Sequence, residues 1–257
     1  MQPYTYENFG DFACYIMQND LLMETLTVRE SLEFAAALKI NGSVQHRNLV
    51  INKLIYELKL EECVDVRVGN TFAKGVSGGE KKRTAIAFEL ISDPQVVFLD
   101  EPTSGLDSLT AYVVVSYMKK LAVKKNKTIV MTIHQPGTEI YSLFDTLMLM
   151  VAGRLVYQGS AAAAVDYFSA LGYKCPTYSN PSDYFMLITH HESKKYAENF
   201  PRYVRKYEQL QAPNVLKEIQ TSERGPLSRR TVQVGFCRAL GTLLWRDTLN
   251  TVRNPVL

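Results

Sequence analysis

Two acidic residues, Asp100 and Glu101, directly follow the apolar run Val96-Val97-Phe98-Leu99. An uninterrupted run of this kind reads as a buried strand of a parallel sheet, and open α/β sheets bind ligands at the C-terminal ends of their strands. One carboxylate placed there can hold Mg2+, which takes carboxylate and water oxygens and neutralises phosphate charge. A second beside it can orient or deprotonate an attacking water. Taken alone, the pair is equally a capped strand end with solvated acids. The order of the neighbouring strings sharpens the reading. "VSGGEKKR" begins at Val76, "VVFLDEPTSGLDS" at Val96, and "TIVMTIHQ" at Thr128. Ser77, Gly78 and Gly79 stand where a helix begins; its free N–H groups and positive dipole end attract phosphate, and glycines let a backbone approach closely. The plainer alternative there is a Ser N-cap with flexible glycines.

These residues need a frame. Residues 12–17 read as a strand ending at Gln18. Thr27 as N-cap with Glu30 three positions on forms a capping box, and Val28, Leu32, Ala35 and Ala36 follow helical spacing. Residues 47–58 predict a second helix with Leu49, Ile51, Leu54, Ile55 and Leu58 as its apolar face. Residues 78–91 follow the Ser-Gly-Gly string as a helix, 109–122 form another, and 128–133 read as a β-branched buried strand ending on His134. Ala152-Gly153 marks a hairpin between residues 147–151 and 154–157. Residues 160–171 read as an alanine-rich helix closed by Gly172. Alternation of strands and helices makes a parallel-rich α/β sheet the expected fold class.

The strings "SGGE", "LDEPTSGLD" and the downstream His134 resemble the signature, Walker B, D-loop and H-loop of an ATP-binding cassette (ABC) ATPase. "VSGGEKKR", with Glu80 where many cassettes have Gln, resembles the G subfamily of half-transporters, the white/scarlet type. Upstream, "IMQNDLLMETLTVRESLEFAAAL" resembles that subfamily's Q-loop and the helix after it; downstream, "VYQGSAAAAVDYFSALGYKCPTYSNPSDYFM" resembles its tail. The likeness runs from about Ile16 to Leu187. It implies an α/β ABC-type (RecA-like) P-loop ATPase core with an inserted helical subdomain at about 19–92, within a partial nucleotide-binding domain over 1–190. It further implies ATP and Mg2+ as ligands, with Glu101 and His134 as catalytic residues. Gln18, Ser77, Gly78, Gly79, Glu80, Asp100 and Asp107 would bind nucleotide, and Asp100 and Gln18 would hold the metal. His134 would place the γ-phosphate and the water, Gln18 would couple the site to a membrane domain, and Asp107 would act across a dimer. The implied partners are a second cassette, in a homodimer or heterodimer, and a transmembrane domain of the same or a partner chain.

A phosphate-binding loop of the form GxxxxGK followed by Ser or Thr supplies N–H groups and a Lys to the β and γ phosphates. No such string occurs in these residues. In the family it precedes the Q-loop, so the chain is expected to be truncated N-terminally, beginning after that loop, the adenine-stacking aromatic and the first core strands. Whether Met1 is the natural start stays open. The residues also leave open two alternatives: a catalytically inactive truncated cassette, and a non-transport ABC ATPase. Against the latter, the interval from Gln18 to Ser77 is too short for a long coiled coil.

Composition fits this reading. A net charge of +3 gives no argument for nucleic acid. Cys14, Cys63, Cys175 and Cys237 are scattered without metal-ligand spacing and read as free thiols in a reducing compartment. No run of apolar residues is long enough to span a bilayer. Residues 191–235 read as a basic linker; between Glu192 and Arg230 nine Lys and Arg stand against five Asp and Glu. Such a segment is either a solvated linker or one facing anionic lipid. "NPSDYFM" resembles a helix-starting turn that packs on the core. Residues 236–257 predict an amphipathic helix with Phe236, Leu240, Leu243, Leu244 and Leu249 on its apolar side, resembling the elbow helix before a first membrane span. The expected location is the cytoplasmic face of a membrane.

Overall fold

The computed structural model describes residues 9–70, 73–190, 196–221 and 234–254, with only the backbone described for 196–199. It divides into two compact units, one formed by residues 1–134 with 227–257 and the other by residues 135–226.

In the first unit three parallel strands, β1 (Ala13–Ile16), β2 (Val96–Asp100) and β3 (Thr128–Thr132), lie in the order β1-β2-β3. Between β1 and β2 run helices α1 (Val28–Lys39), α2 (Val44–Glu57) and α3 (Gly78–Leu90), with a short 3-10 turn at Glu61–Cys63; α4 (Ser108–Lys125) crosses from β2 to β3. The start of α1 is fixed by the capping box: Glu30 N–H donates to Thr27 Oγ1 at 3.1 Å, and Thr27 N–H donates to the Glu30 carboxylate at 2.9 Å. Its periodic residues Val28, Leu32, Ala35 and Ala36 are all buried, joining Ile86, Val97, Leu99 and Met118 in one apolar cluster.

Three expectations need correction here. β2 is not buried throughout: Val97 and Leu99 are, whereas Val96 and Phe98 are half-buried. β3 is half-exposed along its length, because among the described residues only β2 pairs with it. In α2, Ile51, Leu54 and Ile55 face the core, but Leu49 is 70% exposed. Two residues before Ile51 on a helix is about 200° round, the opposite side.

Helix α10 (Phe236–Arg253) also belongs to this unit and packs on α1. It does so through its polar side. Arg253 donates to both Glu30 oxygens at 2.6 and 2.9 Å, Thr25 Oγ1 donates to Asn250 Oδ1 at 2.9 Å, and Arg238 donates to the Ile40 carbonyl at 3.0 Å. The Arg246 guanidinium lies 5.0 Å from the Phe34 ring centre. Phe236, Leu244 and Val252, by contrast, are exposed. No helix among the described residues is long and apolar enough to cross a membrane.

In the second unit β4 (Thr146–Val151) and β5 (Arg154–Ser160) form the expected antiparallel hairpin. Ala152 and Gly153 have φ of 46° and 75°, the left-handed pair a tight two-residue turn requires. A short helix α5 (Thr138–Tyr141) precedes the hairpin, and α6 (Ala164–Ala170), α7 (Pro181–Thr189), α8 (Tyr196–Leu210) and α9 (Ala212–Thr221) follow it. Helix α6 starts four residues later than expected, since Ser160 still belongs to β5. Asn180 caps α7, and Asn180 Nδ2 and Ser182 Oγ both donate to the Pro136 carbonyl at 2.8 Å. The stretch expected as a basic linker holds α8 and α9, and Tyr203 of α8 is fully buried beside Phe168 and Tyr173. Lys194, Lys195, Arg224, Arg229 and Arg230 of that stretch, and residues 255–257, lie outside the described residues. All four cysteines are free, Cys14 and Cys63 buried; burial pushes the Cys63 thiol up to about 11.

Candidate functional site

The parallel register sets Asp100 between two hydroxyls. Asp100 pairs with Thr132 of β3, and Phe98, two residues back on the same face, pairs with Tyr15 of β1. Thr132 Oγ1 donates to Asp100 Oδ1 at 2.7 Å and Tyr15 Oη donates to Asp100 Oδ2 at 3.0 Å. The carboxylate accepting this bond raises the Tyr15 phenol above its ordinary value.

Glu101 would point to the other face if the strand continued, since side chains alternate. It does not continue. Glu101 has φ of 43°, a left-handed conformation uncommon outside glycine and of the kind that collects at functional sites. Its N–H donates to Thr132 Oγ1 at 2.9 Å, so one hydroxyl ties the two acidic residues together. Its carboxylate accepts from Gln18 Nε2 at 2.9 Å. The end of the sheet thus holds Gln18, Asp100, Glu101, Tyr15 and Thr132 in one hydrogen-bonded set.

The Ser-Gly-Gly string begins α3 as expected. Ser77 is the N-cap, its hydroxyl accepting from Glu80 N–H at 3.3 Å while Ser77 N–H donates to Glu80 Oε2 at 2.7 Å. That main-chain donor holds the Glu80 carboxyl below its usual range. Space for a Cβ at Gly78 is open, whereas one at Gly79 would lie 2.7 Å from the Thr110 methyl. Thr110 is itself held by Asp107, the N-cap of α4, whose carboxylate accepts from Thr110 N–H at 3.0 Å and from Thr110 Oγ1 at 2.6 Å. These bonds hold the Asp107 carboxyl low. The start of α3 and the start of α4 therefore touch through Gly79 and Thr110.

His134 lies exposed two residues beyond Thr132, past the end of β3. It is at the same end of the sheet as the acidic pair, but the hydrogen bonds that join Gln18, Asp100 and Glu101 do not pass through it. Three contributors escaped sequence reading: Tyr15, Thr132 and Lys82. Thr132 stands two residues before the singled-out His134, a weak signal; Lys82 belongs to the basic run Lys81-Lys82-Arg83, where nothing in the spacing singles it out, and it is buried.

A short parallel sheet with paired acids at its C-terminal edge places those acids where open α/β sheets bind ligands. The comparisons with known proteins narrow this. The family model for the ABC transporter matches residues 2–104, and that for the ABC-2 type transporter matches residues 134–218. The broad substrate specificity ATP-binding cassette transporter ABCG2 of Bos taurus is 48% identical over 188 residues, covering 72% of this chain and 28% of that protein. Protein white of Drosophila melanogaster is 37% identical over 272 residues, covering 100% of this chain and 39% of its own. ATP-binding cassette sub-family G member 8 of Homo sapiens is 40% identical over 190 residues, 73% of this chain and 28% of that one. The chain belongs to the ABC transporter family, in its subfamily G branch. It spans well under half the length of these relatives.

Proposed function

We propose that this chain is the ATP-handling part of a subfamily G half-transporter, coupling ATP hydrolysis to movement of a substrate across a membrane. The observation that carries the reading is the bonded set at the sheet end, in which Gln18 and the left-handed turn at Glu101 bring an amide and two carboxylates together. In this reading Glu101 accepts a hydrogen bond from the hydrolytic water and orients it for attack on the γ-phosphorus. His134 stands beside the γ-phosphate, and Ser77, Gly78 and Gly79 offer the N-terminus of α3 to the nucleotide of a second cassette, with Asp107 and Glu80 holding that interface in shape. Asp100 and Gln18 both carry side-chain oxygens, which suit Mg2+; they would hold it, and the ion would neutralise phosphate charge.

The ABCG2 relative and both matching family models are named as transporters, which supports a membrane partner and a place at the cytoplasmic face, and leaves the non-transport alternative without support. Phosphate release from Mg·ATP by the full-length protein, reconstituted in lipid vesicles, tests the proposal. Turnover that depends on Mg2+ is the expected result; no turnover with nucleotide bound would overturn it in favour of a non-catalytic cassette.

A further inference from the structure

In the first unit the side chain of Lys82 is almost completely buried. Lys82, in the second turn of α3, has a side chain 4% exposed, and its ammonium lies 2.7 Å from Asp20 Oδ1, itself only 11% exposed at the side chain. The same Nζ donates to the Gln18 carbonyl at 2.8 Å and the Met17 carbonyl at 3.4 Å. The ammonium thus hydrogen-bonds two main-chain carbonyls and forms an ion pair with a carboxylate, all on residues 17–20. Burying a charge is costly unless it is paired and hydrogen-bonded, and an apolar side chain of similar size is often no less stable in such a place. Stability alone is thus a weak reason for a lysine here.

What Lys82 holds gives a better one. Met17, Gln18 and Asn19 are exposed, so side-chain packing does little to fix this turn. Gln18 is gripped from two sides: its side-chain amide donates to Glu101, and its main-chain carbonyl accepts from Lys82. Lys82 sits five residues from Ser77 on the same rigid helix whose N-terminus carries the Ser-Gly-Gly string. A shift of that N-terminus moves the Lys82 ammonium, and with it the Gln18 carbonyl.

We infer that Lys82 is a positioning residue. It sets Gln18 against Glu101 and ties that placement to the phosphate-facing end of α3. Its consequence for turnover rests on the ATPase reading above; its effect on Gln18 does not. Two measurements separate these. In nuclear magnetic resonance of the protein, the Gln18 side-chain amide gives a direct signature. Lys82→Met shifts it toward the position of a solvated glutamine, as Glu101→Ala does, while Lys82→Arg retains most of the wild-type shift. An unchanged Gln18 signal in folded Lys82→Met overturns the inference whether or not ATP is hydrolysed. Where Lys82→Met does not fold, Asp20→Asn serves, with a smaller shift in the same direction.

The second measurement is a double-mutant cycle on Mg·ATP turnover in the full-length protein. Misplacing a group that contacts the reacting centre costs on the order of 10–100-fold, so Lys82→Met lowers kcat by about that factor in the wild-type background and by little more once Gln18→Ala is present. Its loss of thermal stability is the same in both backgrounds. Additive effects on kcat would show that Lys82 acts only through general stability, and would overturn the inference. Absence of turnover in the wild type, with the Gln18 signature intact, would instead count against the ATPase reading alone.

Discussion

Gln18 and Glu101, 83 residues apart in the chain, meet through a hydrogen bond of 2.9 Å from the glutamine amide to the glutamate carboxylate. Two strand ends bring them together: β1 stops at Ile16 and β2 at Asp100, and the two strands run parallel with Ile16 opposite Leu99. A contact of this kind joins the loop that leaves the sheet toward the helices with the acid proposed above to direct a water. It sets the terms for the expected behaviour of variants.

Glu101→Gln keeps the shape and a hydrogen-bonding partner for Gln18 but removes the carboxylate that would accept a proton. Turnover of Mg·ATP by the full-length protein should fall by about 10²–10⁴-fold, the range for losing a general base, while nucleotide remains bound. Steady-state phosphate release measures this. A rate near that of the wild type would remove Glu101 from the water-directing role.

Gly78→Asp is the sharper of two tests of the α3 N-terminus. Its Cβ enters open space, so the fold should survive, whereas Ser77→Arg also removes an N-cap at about 1 kcal/mol. A carboxylate placed where phosphate is to sit repels it. In dimers with one variant subunit, photo-crosslinked nucleotide should be lost from the unmodified partner's site. Loss confined to the variant's own site would show that the two cassettes do not share sites.

Gly79→Ala places a methyl 2.7 Å from the Thr110 methyl, and overpacking of this sort costs about 1–3 kcal/mol. Thr110→Ser removes the obstructing methyl and keeps the hydroxyl that bonds Asp107. The double variant should therefore recover most of the stability lost by Gly79→Ala in chemical denaturation. Equal stability of single and double variants would mean that the contact between α3 and α4 is not made in solution.

Glu30 and Arg253 offer a pH test of the α1–α10 contact. The Arg253 guanidinium holds the Glu30 carboxyl below its usual range. A carboxyl lowered in the folded state adds stability that is present above the unfolded value, about 4.3, and is lost as pH falls through the lower folded one. Amides of α10 should thus exchange faster as pH drops below about 4, after correction for intrinsic rates. Glu30→Gln should remove that dependence and cost about 1 kcal/mol for this partly exposed pair. An unaltered pH profile in Glu30→Gln would show that α10 is held by other contacts.

The 257-residue polypeptide as it stands, expressed alone, should show no micromolar binding of Mg·ATP in calorimetric titration. Asp100 and Gln18 would still offer oxygens to a hydrated Mg2+, but the backbone cradle and Lys of a GxxxxGK loop, the main electrostatic support for the phosphates, are not in its sequence. Micromolar binding would reveal a phosphate site built from other residues.

Local chemistry was enough to read several features from sequence. Thr27 with Glu30 and Ala152-Gly153 each specify a cap or turn within a few residues, and the structure has both where the sequence put them; the helix start at Asn180, expected only from the resemblance, is also found. The apolar run before Asp100 and Glu101 marked a strand with acids at its end, although only Val97 and Leu99 of the run are buried.

Tertiary structure decided what depends on register and partners. Nothing in the sequence says that Thr132 faces Asp100, because parallel pairing is set by how whole strands align, and one residue of slip would send the hydroxyl to the other face. The half-exposed β3 misled the reading because an apolar β-branched run does not tell whether one neighbour or two will pair with it. The polar docking of α10 was hidden in the same way: its leucines drew attention, but Glu30, Ile40 and Phe34 on or beside a distant helix chose the arginines instead. Lys82 shows the limit most clearly. Charge predicts exposure, and only the fold, by curling residues 17–20 over the side of α3, could turn a lysine into a buried clasp.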